Sequence, residues 1–131
     1  MGPPTWHHES VSDQRGLNNG VQVALLFPVA LGILLLTLQW AMLAWGEATA
    51  LAAAQDGARA AAVIHGSDAA GETVAMAAAD NGSLDSLAVT SDRGPRTTTV
   101  TVSGSVSGIL PGFSTTIRRT AEMPTERLTR G

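Results

Sequence analysis

The hydrophobic and polar positions divide the chain into three textures. A polar opening, MGPPTWHHESVSDQRGLNNG, gives way at Val21 to VQVALLFPVALGILLLTLQWAMLAW, 25 residues that run to Trp45. No charged side chain lies between Arg15 and Glu47. Crossing a hydrocarbon layer of about 30 Å takes about 20 apolar residues in a helix, so this run is long enough with some tilt. Trp40 and Trp45 stand near its far end, where indole rings favour the water boundary. A cleavable secretory signal would have a shorter apolar core and a positively charged start. The length favours a retained membrane helix.

The helical pattern does not stop at Trp45. GEATALAAAQDGARAAAVIHG is dense in alanine, the strongest helix former, and no proline follows before Pro95. One continuous helix is predicted from near Val21 to about His65, ending at Gly66. At 1.5 Å per residue such a helix reaches roughly 67 Å, so its later part stands clear of a bilayer. A short second helix is predicted over Ala70–Ala79, stopped by the turn residues Asp80-Asn81-Gly82.

The third texture is β-branched and alternating. Leu87–Ser91 and Thr97–Ser107 read as strands, with Val100, Val102 and Val106 on one face. The intervening DRGPR is turn chemistry. Phe113–Met123 supplies a third strand, and the tail beyond Pro124 reads as loose. The expected architecture is α+β: a long N-terminal transmembrane helix, a short second helix and a small antiparallel sheet that the alanine-rich helix covers. The expected organisation is a leader-like cytoplasmic segment over 1–20, a membrane span over 21–45 and an exported domain over 46–131. Arg15 lies close to one end of the span and Arg59 far beyond the other, which favours an N-terminus inside and the domain outside.

Composition narrows the chemistry. A net charge of -3 with no basic stripe argues against a nucleic-acid partner. All eight positive residues are arginine. With no cysteine, disulfides and thiolate chemistry are excluded, so packing and backbone pairing hold the domain together. His7 and His8 are adjacent in a Pro-rich terminus rather than at helical ligand spacing, which reads as a disordered surface pair. His65 is expected at a helix end, where its positive form suits the dipole. No serine has a nearby histidine or an elbow motif, and SGSVSG lacks a phosphate-loop lysine. Neither an enzyme, a cofactor nor a metal site is expected.

The small-residue piece Ala52–Val63 admits two readings. It either covers the chain's own sheet, or it offers neighbouring copies a surface for close lateral packing. Asp56 and Arg59 share a face and form an i,i+3 pair worth about 0.2–0.5 kcal/mol. Arg118, Arg119 and the DRGPR loop are candidates for polar contacts with partners, or solvated edges that blunt strand pairing.

Taken in order, Arg15-Gly16, a short polar spacer, Val21, Ala24-Leu25 and Pro28, then Asp56-Gly57-Ala58-Arg59, resemble the TadE-like family. These are pilin-like proteins of tight-adherence (Flp) pilus assembly systems. VTVSGSVSGILPGF and AEMPTERL also resemble strand and terminal pieces of actinobacterial members, which extends the likeness over most of residues 15–128. The resemblance implies a prepilin-type protein of the cytoplasmic membrane, a pseudopilin or minor pilin, with its globular end outside. It implies membrane lipid, other pilin-like subunits and pilus-assembly membrane proteins as partners. Trimming by a prepilin peptidase between Gly16 and Leu17 is implied as well.

Two departures from the family pattern bear on that trimming. Family members usually carry glutamate six residues before the proline, and this chain has Gln22. Gly16 lies six positions before Gln22, where the pattern gives five. A lone charge in a membrane costs about 2.5–3.5 kcal/mol or more, so a paired carboxylate can dictate register. Glutamine instead offers an acceptor and two donors, worth about 0.6–2 kcal/mol between helices in lipid. The plain alternative is an amide reaching headgroups. Pro28 and Gly32 soften the helix without breaking it where neighbouring helices re-satisfy freed carbonyls. The expected assembly residues are therefore Gln22, Pro28, Gly32, Asp56, Gly57, Ala58 and Arg59. A bitopic accessory protein and a tethered exported binding module are the competing functions.

Overall fold

The computed structural model describes Gly2 and residues 7–128, with side chains described from residue 18 onward. The elements run α1 (His7–Ala62), α2 (Asp68–Ala79), β1 (Asp85–Arg93), β2 (Thr97–Ser107) and β3 (Ser114–Pro124). The fold is α+β, as the alternation of textures predicts. By internal packing the chain forms two units, residues 1–38 and 39–131.

Helix α1 differs from expectation at both ends. It begins at His7, well before Val21, because no proline follows Pro4 in the polar opening and nothing else there forbids a helix. The helix thus continues through the expected boundary between 20 and 21, and it includes the backbone of His7 and His8. It ends at Ala62 rather than His65. His65 takes a left-handed φ of 66°, and the Gly66 N–H turns back to the Val63 carbonyl at 2.8 Å. A Cβ on Gly66 would run into the Ala61 carbonyl, which explains the glycine at that position.

Within residues 39–131, α1 presents one stripe of small residues. Gly46, Thr49, Ala50, Ala53, Ala54, Gly57, Ala58, Ala61 and Ala62 are all buried, at the three-and-four spacing of a single helix face. Opposite them lies a three-stranded antiparallel sheet in the order β1-β2-β3. The central strand β2 alternates cleanly: Thr98, Val100, Val102, Gly104 and Val106 are buried. Ile117 and Ala121 of β3 complete the layer, opposite Gly104 and Val100 respectively. The largest fully buried side chains are valines and a threonine. Such a thin core works only if helix and sheet backbones approach closely.

Glycine makes the approach possible. A Cβ on Gly57 would lie 2.7 Å from the Ala75 Cβ and 2.8 Å from the Gly71 carbonyl, and one on Gly71 would lie 3.0 Å from the Gly57 carbonyl. Helices α1 and α2 therefore meet glycine to glycine, backbone on backbone. A Cβ on Gly46 would fall 2.5 Å from Val106 Cγ2, which seats α1 against β2 in the same way.

Helix α2 starts two residues before the expected Ala70. Ser67 has extended φ/ψ and accepts a hydrogen bond from the Ala70 N–H at 3.1 Å, satisfying one orphan donor as an N-cap. Strand β1 is longer than Leu87–Ser91 and carries a bulge between Asp85 and Ala88, where Ser86 adopts a φ of 52°. Strands β2 and β3 fall as expected to within one residue.

The tail is not loose where it is described. The Thr125 N–H donates to the Arg96 carbonyl at 2.9 Å, and the Glu126 N–H donates to the Ala62 carbonyl at 2.8 Å. Arg93 Nη2 donates to the carbonyls of Val63 and Glu126, both at 3.2 Å. At the end of α1 the Ala62 carbonyl is thus satisfied by the tail, and the next carbonyl, Val63, by β1 and Gly66.

Two measurements check this account. Gly57→Ala raises helix propensity by about 0.8–1 kcal/mol, yet it is expected to destabilise the domain by about 1–3 kcal/mol through overpacking. Gly32→Ala, with nothing within 4 Å of its Cβ, is expected to cause no loss; thermal melts of both variants in the same micelles decide it. Ending the chain at Pro124 removes the Thr125 and Glu126 bonds. It is expected to cost about 1–2 kcal/mol, a fall of roughly 4–8 °C or more in Tm. A truly loose tail would leave the melt unchanged.

Candidate functional site: the apolar helix and its small-residue extension

In residues 18–38, α1 has no core to bury. Every described side chain from Asn18 to Leu34 is exposed, including Val21, Leu25, Leu26, Phe27 and Ile33. A helix that is apolar all round belongs either inside a large protein or in a membrane. Nothing among the described residues covers this one. By length and composition it qualifies as one membrane span near the N-terminus.

Gln22 is exposed near the start of that span, with its amide directed to no partner among the described hydrogen bonds. Pro28 lies inside the helix without ending it. Its missing N–H leaves the Ala24 carbonyl without the usual partner four residues on. Gly32 has open space around it. One turn later Thr37 Oγ1 donates to the Ile33 carbonyl at 2.8 Å, which hides the hydroxyl against its own helix. This surface can do no bond-making chemistry. It can bind lipid or other apolar helices. Gly16 and Leu17 fall within the helical backbone, and their side chains lie outside those described.

The Asp56-Gly57-Ala58-Arg59 group splits between two environments. Gly57 and Ala58 are buried against α2 and the sheet, so their close contacts are within this chain. Asp56 and Arg59 face outward and pair at 3.4 Å, with side chains 49% and 64% exposed. An exposed pair of this kind adds about 0.3–0.5 kcal/mol at most. Its position on the surface leaves it accessible to a partner.

Other expected contact residues serve the domain. Arg119 pairs with Glu47 at 2.9 Å and ties β3 to α1. In DRGPR, the Arg93 N–H donates to Asp68 Oδ1 at 2.6 Å, and its guanidinium closes the end of α1. Arg118 is exposed and forms none of the ion pairs among the described residues. Sequence reasoning missed the roles of Glu47, Asp68 and Glu126. Asp68 directly after the N-capping Ser67 was the one local signal. The pairings of Glu47 and Glu126 join residues far apart in the chain.

No group of three or more His, Asp or Glu is placed to hold a metal among the described residues. The side chains of His7 and His8 lie outside those described. His65 is exposed in the turn after α1. A shallow groove of about 250 Å³, lined by Arg59, Ala62, Val63, Met123, Pro124 and Glu126, contains no nucleophile paired with a base.

No curated protein and no solved structure matches the chain. The model of one family, described as TadE-like protein, matches residues 21–59, which leaves the expected C-terminal likeness outside the match. That stretch contains the exposed apolar helix, Gln22, Pro28 and Gly32, and it closes on the Asp56–Arg59 pair. Over residues 21–59 this chain is similar to the TadE-like family.

Proposed function

We propose that the protein is a single-pass, membrane-anchored subunit of a tight-adherence (Flp-type) pilus system, a pseudopilin or minor pilin. Its work is assembly rather than turnover. The observation that carries this reading is a helix apolar on every side and unburied, lying within the stretch that the TadE-like family model matches. The uncovered apolar surface supports storage in the bilayer and packing beside like helices. Gln22 supplies an uncharged hydrogen-bonding group inside such a bundle. Asp56 and Arg59 offer an outward polar contact just beyond it.

In this proposal the N-terminus lies inside and the α+β domain outside, an orientation that the charges flanking the span favour. The accessory-protein reading shares the anchor but never enters a filament. The tethered binding-module reading lacks support from the domain, whose described grooves are shallow and poor in aromatic residues.

Shearing surface filaments from cells and probing both fractions tests the proposal. The protein is expected in the sheared fraction, at least in part; complete retention in membranes selects the accessory role. The intact mass of the native protein tests processing. With Gln22 in place of a carboxylate and a six-residue spacing, residues before Leu17 are expected to remain attached. A native N-terminus at Leu17 would show that the peptidase accepts the altered pattern.

A further inference from the structure

Two uncharged stretches, far apart in the chain, meet at one point. The first is Gly16–Gly46 of α1, and the second is Thr97–Ile117, which holds β2, the β2–β3 loop and the start of β3. They meet where the Ile109 N–H donates to Gln39 Oε1 at 2.8 Å. The adjoining Gly108 sits so close that a Cβ there would lie 3.3 Å from the same oxygen. Gln39 is the nineteenth residue of the 25-residue apolar run Val21–Trp45, and Trp40 and Trp45 follow it. Eighteen helical residues rise about 27 Å, close to the roughly 30 Å hydrocarbon thickness. Gln39 therefore falls at the edge of the hydrocarbon, and a loop bonded to it falls at the same level.

The loop is built to display apolar groups there. Leu110-Pro111-Gly112-Phe113 is a type II turn: proline occupies its second position, and Gly112 takes a φ of 88° at its third. The Phe113 N–H closes back on the Leu110 carbonyl at 3.3 Å. Its first and last residues are exposed, Leu110 by 58% and Phe113 by 69%, and nothing lies within 4 Å of a Cβ on Gly112. Phe113 is one of only two phenylalanines in the chain, and the domain spends it on the surface although its own core holds nothing larger than leucine and isoleucine. Trp40 and Trp45, also exposed, stand on α1 at and just beyond Gln39. Charges return past this level: Asp85 accepts from Ser107 Oγ at 2.7 Å, and further along α1 Glu47 pairs with Arg119.

We infer that the Ile109–Phe113 turn is a second membrane contact, which inserts Leu110 and Phe113 into the interfacial layer of the leaflet from which the α+β domain emerges. The inference rests on the membrane-anchored reading. The occupant is lipid rather than protein, because an uncharged, proline-glycine turn carrying leucine and phenylalanine is fastened to the helix at the bilayer edge. Aromatic rings favour that layer, and there is no charge from Thr97 to Ile117 to oppose entry. Through the Gln39 bond, the turn and helix fix the depth of the domain together.

The chain has no cysteine, so single cysteines can be labelled cleanly. Phe113→Cys, Ile33→Cys and Glu72→Cys, each carrying a polarity-sensitive dye, are placed in phosphatidylcholine–phosphatidylglycerol nanodiscs. Each is then challenged with aqueous iodide and with lipid carrying a nitroxide high on its acyl chain. The Phe113 label is expected to be quenched by the lipid nitroxide and several-fold less by iodide than the Glu72 label on α2. Iodide quenching equal to that of Glu72 overturns the inference, as does protection from both quenchers, which indicates a protein cover. Lipid quenching at Ile33 without it at Phe113 sinks this inference alone. Its absence at both positions sinks the anchored reading as well.

Discussion

The domain depends on how closely backbones can approach one another. Gly57 and Gly71 put α1 and α2 in direct backbone contact, and Gly46 brings α1 onto Val106 of the central strand. Interiors are packed to crystal-like density, so a layer this thin has no slack for even one added methyl group. Alanine and valine then suffice to fill the space between helix and sheet. This accounts for a domain that keeps most of its few large side chains outside its core.

The same helix meets two kinds of surroundings. In residues 21–38 most of its side chains are large, apolar and exposed; in residues 46–62 those on one face are small and buried. Side-chain size follows what each part must satisfy. Lipid tails pack around bulky, flexible side chains without a fixed geometry, whereas a sheet demands short ones at fixed spacing. Several charged groups of the domain serve closure. Arg93, Asp68, Glu126 and Arg119 tie strand ends and tail to the helices, while the Asp56–Arg59 pair and Arg118 stay exposed.

This division bears on how an assembly subunit of the proposed kind can work. Under the same proposal, the uncovered apolar helix would supply non-specific affinity for membranes and for like helices. Under the proposed function, Gln22 and the paired charges of Asp56 and Arg59 would add direction to that affinity. A turn fastened at Gln39 would hold the domain at one depth relative to the lipid.

Some of this was legible in the residues alone. The uncharged run from Gly16 to Gly46, the alanine density beyond it and the two-residue alternation of Val100, Val102 and Val106 are local signals, and each reports its own environment. They set the helix, the strands and the α+β class. What only the tertiary structure decided involves pairs distant in the chain. The choice between covering its own sheet and packing on neighbours, for Gly57 and Ala58, depended on where α2 crosses. The docking of Thr125 and Glu126 depended on where α1 stops, and the place of Phe113 depended on Gln39. Periodicity shows that a face is apolar or small; it does not show what lies opposite, because that partner is chosen by chain folding over tens of residues.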